Sequence, residues 1–261
     1  MGAFPAGTGA IATAGRKSAA EVRMIQLTQH LLHLLGRGDL GHPYIVQAHR
    51  LRRAILRSDL RLRNDYLLKT TNPKLHIGGG WQVIEGWLNS DIELIPGVMR
   101  MDATRRFPFA DETFHYVYSE HMIEHVPYEK GAYMLRECYR VMRRGGAIRV
   151  ITPDLSVILG LHSRELSAEQ ERYLLWFCQT FVPERAPSAA FAVNAMFRLW
   201  GHQFIYDEQT LADAMRLAGF NSVTRCPISH SGHPELQNVV NDQRYPEGLL
   251  NFESVTLEGI K

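Results

Sequence analysis

Residues Lys74 to Asp91 read KLHIGGGWQVIEGWLNSD, and this stretch limits the possible folds more tightly than any other. A short apolar strand runs into three consecutive glycines, and an aspartate closes the apolar segment that follows. Gly78, Gly79 and Gly80 carry no Cβ, so the turn can take φ > 0 and its main chain can come close to a ligand. Asp91, at the predicted end of the second strand, is placed to accept hydrogen bonds from ribose hydroxyls, as acids do at that point of a doubly wound sheet. A tight strand-to-helix turn beside a surface aspartate would use the same residues, so the segment needs support from the rest of the chain.

Two other owners of glycine-rich turns do not fit. The dinucleotide fingerprint wants a third glycine for close helix packing and an acid about 20 residues on. Position 83 is Val, and Asp91 comes too early. A phosphate loop would continue with Gly-Lys-Ser/Thr, which is missing. The short interval also predicts that the connection from Gln82 to Gly86 is a turn or loop where a helix would normally stand.

The run MDATRRFPFADETFHYVYSEHMIEHVPYEKGAYMLRECYRVMRRGGAIRVITPDL follows. It contains an aspartate closing a third strand (Asp102), a PF-acid-x-x-F approach to a fourth (Phe109 to Phe114), a Glu-His pair (Glu124-His125) and a Leu-x-Glu-x-x-Arg-Val helix ending in two glycines (Leu135 to Gly146). This set resembles, nearly position for position, the strand 3 to strand 5 segment of class I S-adenosylmethionine (SAM) dependent methyltransferases of the type 11 kind. HQFIYDEQTLADAMRLAGFNSV is similar to the family's helix before strand 6, so the resemblance spans residues 74–226. It implies a doubly wound α/β fold: a mostly parallel, seven-stranded Rossmann-like sheet with helices on both faces. It also implies SAM as the bound cofactor. Gly78, Gly79, Gly80 and His76 would line its site with Ser119, Asp91 would hold the ribose, and Asp102 the adenine amino group. Ala103 would supply a backbone N–H, and Ile92 or Phe109 an apolar wall for the ring. Two departures stand out. The acid usual two residues before the first glycine is His76, and the third glycine of the usual GxGxG is Gln82. The methionine end of SAM is therefore expected to be held differently.

Composition sets the outer bounds. With 261 residues, 45% hydrophobic and 21% charged, the chain can bury a sizeable core. A net charge of +2 exerts no overall pull towards nucleic acid or membrane. Cys138, Cys178 and Cys226 form no CxxC pair, which favours neither a disulfide framework nor a cysteine metal site and fits a reducing cytoplasm. The Gly- and Ala-rich start lacks the basic region of a signal peptide, and no run is long and apolar enough to span a bilayer. A monomer or homodimer is expected.

Two additions flank the catalytic part, which is expected over residues 71–261. Residues 1–70 read as a helical extension. Val22, Ile25, Leu31 and Leu35 recur at helical spacing up to Gly36, and a second segment from Pro43 carries Ile45, Leu51, Ile55 and Leu60. Its arginines, among them Arg57, Arg61 and Arg63, are interspersed with aspartates and fit a solvated face better than a nucleic-acid surface. The extension is expected to act as a lid over the cofactor mouth, lost on deleting residues 1–40. The second addition is a helical insert over about residues 155–205, with helices at Ala168 to Phe181 and Ala189 to Trp200 broken by VPERAP. Ligands bind outside the carboxyl ends of such strands, so Tyr173, Trp176, Phe177, Phe181, Phe197 and Trp200 become pocket candidates.

HMIEH at 121–125 matches the H-x-x-E-H zinc pattern. A zinc site wants both histidines on one helix face and a further ligand from elsewhere, whereas the motif starts directly after strand 4. No metal is expected. Glu120 and His121 should face the substrate, His121 as general base, with Tyr118 completing the catalytic set. The overall expectation is methyl transfer from SAM to an oxygen or nitrogen of a small molecule. The alternative uses SAM itself as substrate, its α-amine closing a four-membered ring to give azetidine-2-carboxylate and methylthioadenosine, as in the azetidine-2-carboxylate synthases of this fold. A non-catalytic SAM-binding module is the remote third reading.

Overall fold

The structure is a computed structural model and describes residues 58–183 and 185–261. The helices expected before residue 58, and the lid role given to them, lie outside the described residues.

Seven strands form one sheet: β1 Lys74–Ile77, β2 Leu88–Asp91, β3 Met99–Arg100, β4 Phe114–Glu120, β5 Met142–Pro153, β6 Asn221–Arg225 and β7 Ser254–Ile260. Their order is β3-β2-β1-β4-β5-β7-β6. Strands β1 to β5 are parallel, and β7 inserts antiparallel between β5 and β6. This is the mostly parallel, doubly wound sheet expected from the sequence. The strand order reverses between β1 and β4, where β1 steps to β2 on one side and β4 to β5 on the other. A crevice opens at the carboxyl ends of such neighbours. Register aligns Ile77 with Ser119, so the glycines after β1 and the residues after β4 leave the sheet side by side.

The helices are α1 Ser58–Lys69, α2 Tyr128–Val141, α3 Leu155–Gly160, α4 Ala168–Phe181, α5 Ala189–Arg198, α6 Glu208–Ala218 and α7 Leu249–Glu253. Helix α2 buries Met134, Leu135, Cys138 and Val141 on one face against the sheet, and α6 joins it through Leu211 and Met215. Asp207 caps α6 by accepting the Thr210 N–H, and Gly219 ends it in the left-handed conformation. Helix α1 buries no residue fully. It is tied to the sheet by polar contacts, Asp59 accepting the Arg100 N–H and the Tyr66 hydroxyl bonding the Lys74 and Gly86 backbone. Arg61 is exposed, and Arg63 donates to the Pro108 carbonyl.

The insert forms a second core. Helices α4 and α5 end and start close to the expected limits, because Pro183 and Pro187 cannot continue a helix and Ser167 closes a capping box with Gln170. Tyr173, Phe177, Cys178, Ala192, Ala195 and Met196 pack together with Ile158 and Leu249. Among the described residues no helix is long and apolar enough to cross a membrane.

Candidate functional site

The glycine turn after β1 is a cradle shaped by what lies beneath and beside it. Gly78 has φ +69°, and a Cβ there would stand 2.1 Å from Met122 Cγ. A Cβ on Gly79 would stand 2.4 Å from Cε1 of the His76 ring. Neither position can carry a side chain without rebuilding its neighbours. The Gly78 and Gly79 N–H groups both donate to the Ser90 carbonyl, and the Gly80 N–H donates to Asp91 Oδ2 at 2.7 Å. Asp91 Oδ1 accepts the Glu93 N–H, so the carboxylate is held at the β2 end with only 8% of the residue exposed. Residues 78–87 contain no helix, as their short length predicted.

His76 forms the floor of this cradle. It is fully buried, 3.0 Å from Asn89 Oδ1 through Nδ1, and burial pushes its pKa down, so the ring is neutral. Its Nε2 has no hydrogen-bond partner among the described residues. Asp102 follows β3, where its Oδ1 accepts from the Thr104 N–H and hydroxyl and its Oδ2 pairs with Arg105 at 3.0 Å. Burial works against its charge, but the Thr104 bonds and Arg105 outweigh it and keep the carboxyl below its ordinary range. Ala103 packs on the core, and Ile92 is 55% exposed beside Asp91.

Strand alternation divides the residues expected to act together at the β4 end. Tyr118 and Glu120 point to one face of β4 and Ser119 to the other, while His121 follows the strand. The buried Tyr118 hydroxyl donates to Glu120 Oε2 at 2.6 Å, and burial followed by the Glu120 charge pushes its pKa well up. Ser119 is buried. Only His121 of this set borders the cavity described next. Its φ is +47°, a left-handed conformation that few residues adopt, and it swings the chain away from β4.

A cavity of about 350 Å³ lies beyond the carboxyl ends of β4 and β5. Phe177, Phe181, Met196 and Trp200 from the insert give it an apolar wall. His121, Glu124, His125 and His202 gather on one side, with Arg244, Tyr245 and Glu253 contributed by the C-terminal segment. Of the six aromatic pocket candidates, Phe177, Phe181 and Trp200 reach it. Tyr173 is instead buried in the insert core, where its hydroxyl donates to Glu253 Oε2 at 2.6 Å; Trp176 packs beside it; and Phe197 is 43% exposed. Helical spacing predicts that aromatics share a face, and it leaves open which neighbour that face meets.

Charges in the cavity are strongly coupled. His121 Nδ1 is 3.2 Å from Glu124 Oε1, and the His121 Nε2 is 3.4 Å from the Ser254 hydroxyl. Burial opposes a charged His121, but Glu124, then Glu253 and Glu120, prevail and raise its pKa. Glu124 is completely buried; burial opposes its charge too, yet His121 and His125 hold its carboxyl below the ordinary range. Glu253 goes the other way, its pKa raised by burial against a weaker pull from His121. Glu253, Tyr245 and Arg244 stand in stretches without a local motif, and His202 opens a run that the sequence marks only as leading into a helix. Glu124 and His125 were expected in a loop and short turn, and they form the 3-10 turn Ile123–His125.

Residues 87–150 match the family described as Methyltransferase domain. No curated protein matches the chain. Among solved structures, the chain is similar to a SAM dependent methyltransferase from Archaeoglobus fulgidus, at 16% identity and a TM-score of 0.45, covering 84% of this chain and 99% of that one. A SAM dependent methyltransferase from Mesorhizobium loti is similar at 14% identity and a TM-score of 0.41, covering 72% and 90%. Phosphoethanolamine N-methyltransferase 2 from Haemonchus contortus is similar at 13% identity and a TM-score of 0.39, covering 78% and 52%.

Proposed function

We propose that the chain is a class I SAM-dependent methyltransferase that moves the SAM methyl group to an oxygen or nitrogen atom of a small molecule, a reading supported by the Methyltransferase domain match over residues 87–150 and by the sheet order. The observation that carries this reading is that the turn after β4 reaches the glycine cradle through Met122 and the cavity through His121. A Cβ on Gly78 would abut Met122, and Met122 is the chain neighbour of His121, which lines the cavity, so the short turn after β4 borders the cradle through one residue and the cavity through the next. An apolar enclosure of this size with a few convergent polar groups suits a small molecule.

The residues present fit SAM. Gly78 and Gly79 leave open backbone that side chains would fill, and Asp91 offers a fixed carboxylate to the two ribose hydroxyls. Asp102 and Ala103 would meet the adenine, beside the exposed Ile92. SAM supplies a methyl group on a sulfonium, which needs alignment and a dry path more than activation. Phe177, Phe181 and Trp200 exclude water from the acceptor and hold it in line. His121 takes the proton the acceptor sheds, and Glu124 at 3.2 Å stabilises the imidazolium so formed.

A second reading rests on His76. Where relatives carry an acid, this chain has a neutral buried ring, so nothing at that point favours a cationic α-amine. A neutral amine could attack the γ-carbon of SAM, closing the azetidine ring and expelling methylthioadenosine. One assay separates the two. Incubation with SAM alone, read by mass spectrometry, yields methylthioadenosine above a no-enzyme control if SAM is the substrate. S-adenosylhomocysteine formed only after an acceptor is added supports methyl transfer. Neither product across a broad panel of small acceptors would overturn both.

A further inference from the structure

Among the described residues, one group of side chains has the composition and spacing of a metal site: Glu124, His125 and His202, with one ligand atom from each lying within 4.8 Å of the others. We propose that these three bind a divalent transition metal ion, zinc being the best match, with the remaining coordination position open to the cavity. Two imidazoles and one carboxylate are the donor set of many open zinc sites, in which a fourth position is left for water or a bound molecule. All three residues border the cavity, which makes such a position available.

The groups around the trio are arranged as second partners of metal ligands. His202 Nδ1 lies 2.6 Å from the Met196 carbonyl oxygen, so it is the N–H that donates there, and Nε2 keeps its lone pair for a ligand. Glu124 Oε2 accepts the Thr152 hydroxyl at 3.0 Å. Glu124 Oε1 accepts no aligned hydrogen bond, though the residue has no exposed surface. A buried carboxylate oxygen without a donor is costly unless a cation meets it. His121 Nδ1 at 3.2 Å can supply part of that charge when protonated, and a metal ion on the His125 side, where Nε2 stands 4.0 Å away, would supply it in full.

The backbone brings the distant ligand into place. The Gln203 and Phe204 N–H groups donate to the Glu124 carbonyl at 2.8 and 3.2 Å, and the Gln203 side chain donates to the His125 carbonyl at 2.9 Å. The residue that follows His202 is thereby stitched to the turn holding the other two. The His125 and His202 rings already stand edge to face, 4.8 Å between centroids. Donors bound tetrahedrally to zinc sit about 3.4 Å apart, given bond lengths near 2.1 Å. Closing the observed spread takes side-chain rotation of about an ångström, and the partly exposed His125 ring can make it. The H-x-x-E-H reading missed the site because it looked for two histidines inside the motif, while the ligand that completes the trio comes from the return of the insert.

This site shares Glu124 with the methyl-transfer reading, but its test uses the metal alone, so its failure leaves that reading standing. The full chain, purified without a histidine tag and stripped with a chelator, is titrated with Zn(II) by calorimetry and loaded with Co(II) for absorption spectroscopy. Saturation at about one equivalent per chain is expected, with the visible bands of low-coordinate cobalt. His202→Ala and His125→Gln should each weaken Zn(II) binding by tenfold or more, and Thr152→Val, which only frees Glu124 Oε2, by roughly ten- to a hundredfold. Circular dichroism and thermal unfolding confirm that each variant is folded. Should His202→Ala fail to fold, the partly exposed His125→Gln decides. No saturable uptake by the stripped chain, or unchanged affinity in the folded variants, overturns the proposal.

Discussion

The Gly80 N–H donates to Asp91 Oδ2 at 2.7 Å, so the turn after β1 and the end of β2 are joined through one carboxylate. Asp91→Ala removes this tie together with the acceptor for two ribose hydroxyls. Hydrogen bonds to charged groups contribute about 1.5–3 kcal/mol, and the dissociation constant of S-adenosylhomocysteine is expected to rise by roughly ten- to a hundredfold. Calorimetry returning the wild-type constant would remove Asp91 from the site.

Gly78→Ala tests the cradle itself. Its φ of +69° disfavours any Cβ, and the added carbon would sit 2.1 Å from Met122 Cγ. Cofactor affinity is expected to fall sharply, with a loss of stability of about 1–3 kcal/mol from backbone strain and overpacking. A double variant with Met122→Ala should recover part of the packing and none of the strain. Full recovery in thermal unfolding would show that the conformation is not the obstacle.

His121 holds φ +47°, so its replacement must tolerate that backbone. Asn does so better than most residues. His121→Asn should lower kcat by about a hundredfold or more, the usual share of a positioned base, while S-adenosylhomocysteine binds as before. Equal kcat in the variant would mean that the acceptor loses its proton to water or to another group.

Glu137 gives a stability prediction with a defined sign. Arg140 donates to both of its oxygens, at 2.9 and 2.6 Å, and the Phe107 N–H donates at 2.7 Å. The Arg140 hydrogen bonds, against burial, hold its carboxyl below the ordinary range. A depressed carboxyl contributes stability above its unfolded value and loses that contribution as pH falls through the folded one. Glu137→Gln should therefore cost about 1–3 kcal/mol at neutral pH. The gap from wild type should shrink below the ordinary glutamate range. Thermal unfolding of both proteins across that range checks the trend; a gap that widens in acid contradicts it.

The three cysteines should differ in reactivity. Cys138 is buried within α2 and burial pushes its thiol far up, Cys178 is buried in the insert core, and Cys226 is half-buried near Arg149. The thiolate is the reactive form, so alkylation of the folded protein is expected to mark Cys226 first. Peptide mapping that finds Cys138 labelled early would show that α2 opens locally.

Much of this was legible in the sequence because its signals are local. A glycine turn, an acid at a strand end and a proline-broken pair of helices each announce themselves within a dozen residues. Strand alternation was legible in principle, yet Tyr118, Glu120 and His121 were grouped by nearness along the chain. The sheet sends the first two to one face, and His121 leaves the strand in a left-handed conformation to reach the cavity. Tyr173 and Phe177 share a helical face, and Tyr173 is drawn into the insert core by Glu253 while Phe177 also reaches the cavity. His202, Tyr245 and Glu253 join Glu124 only through the way the insert and β7 return, and no spacing along the chain encodes that meeting.

The hydrogen bonds from Gln203 and Phe204 to the Glu124–His125 turn have one more implication, for what the cavity can sort. They make this return of the insert a wall rather than a door. Discrimination among ligands then falls to side-chain bulk, and replacing Phe181 or Trp200 by a smaller residue should widen the range of molecules accepted without changing how the cavity opens.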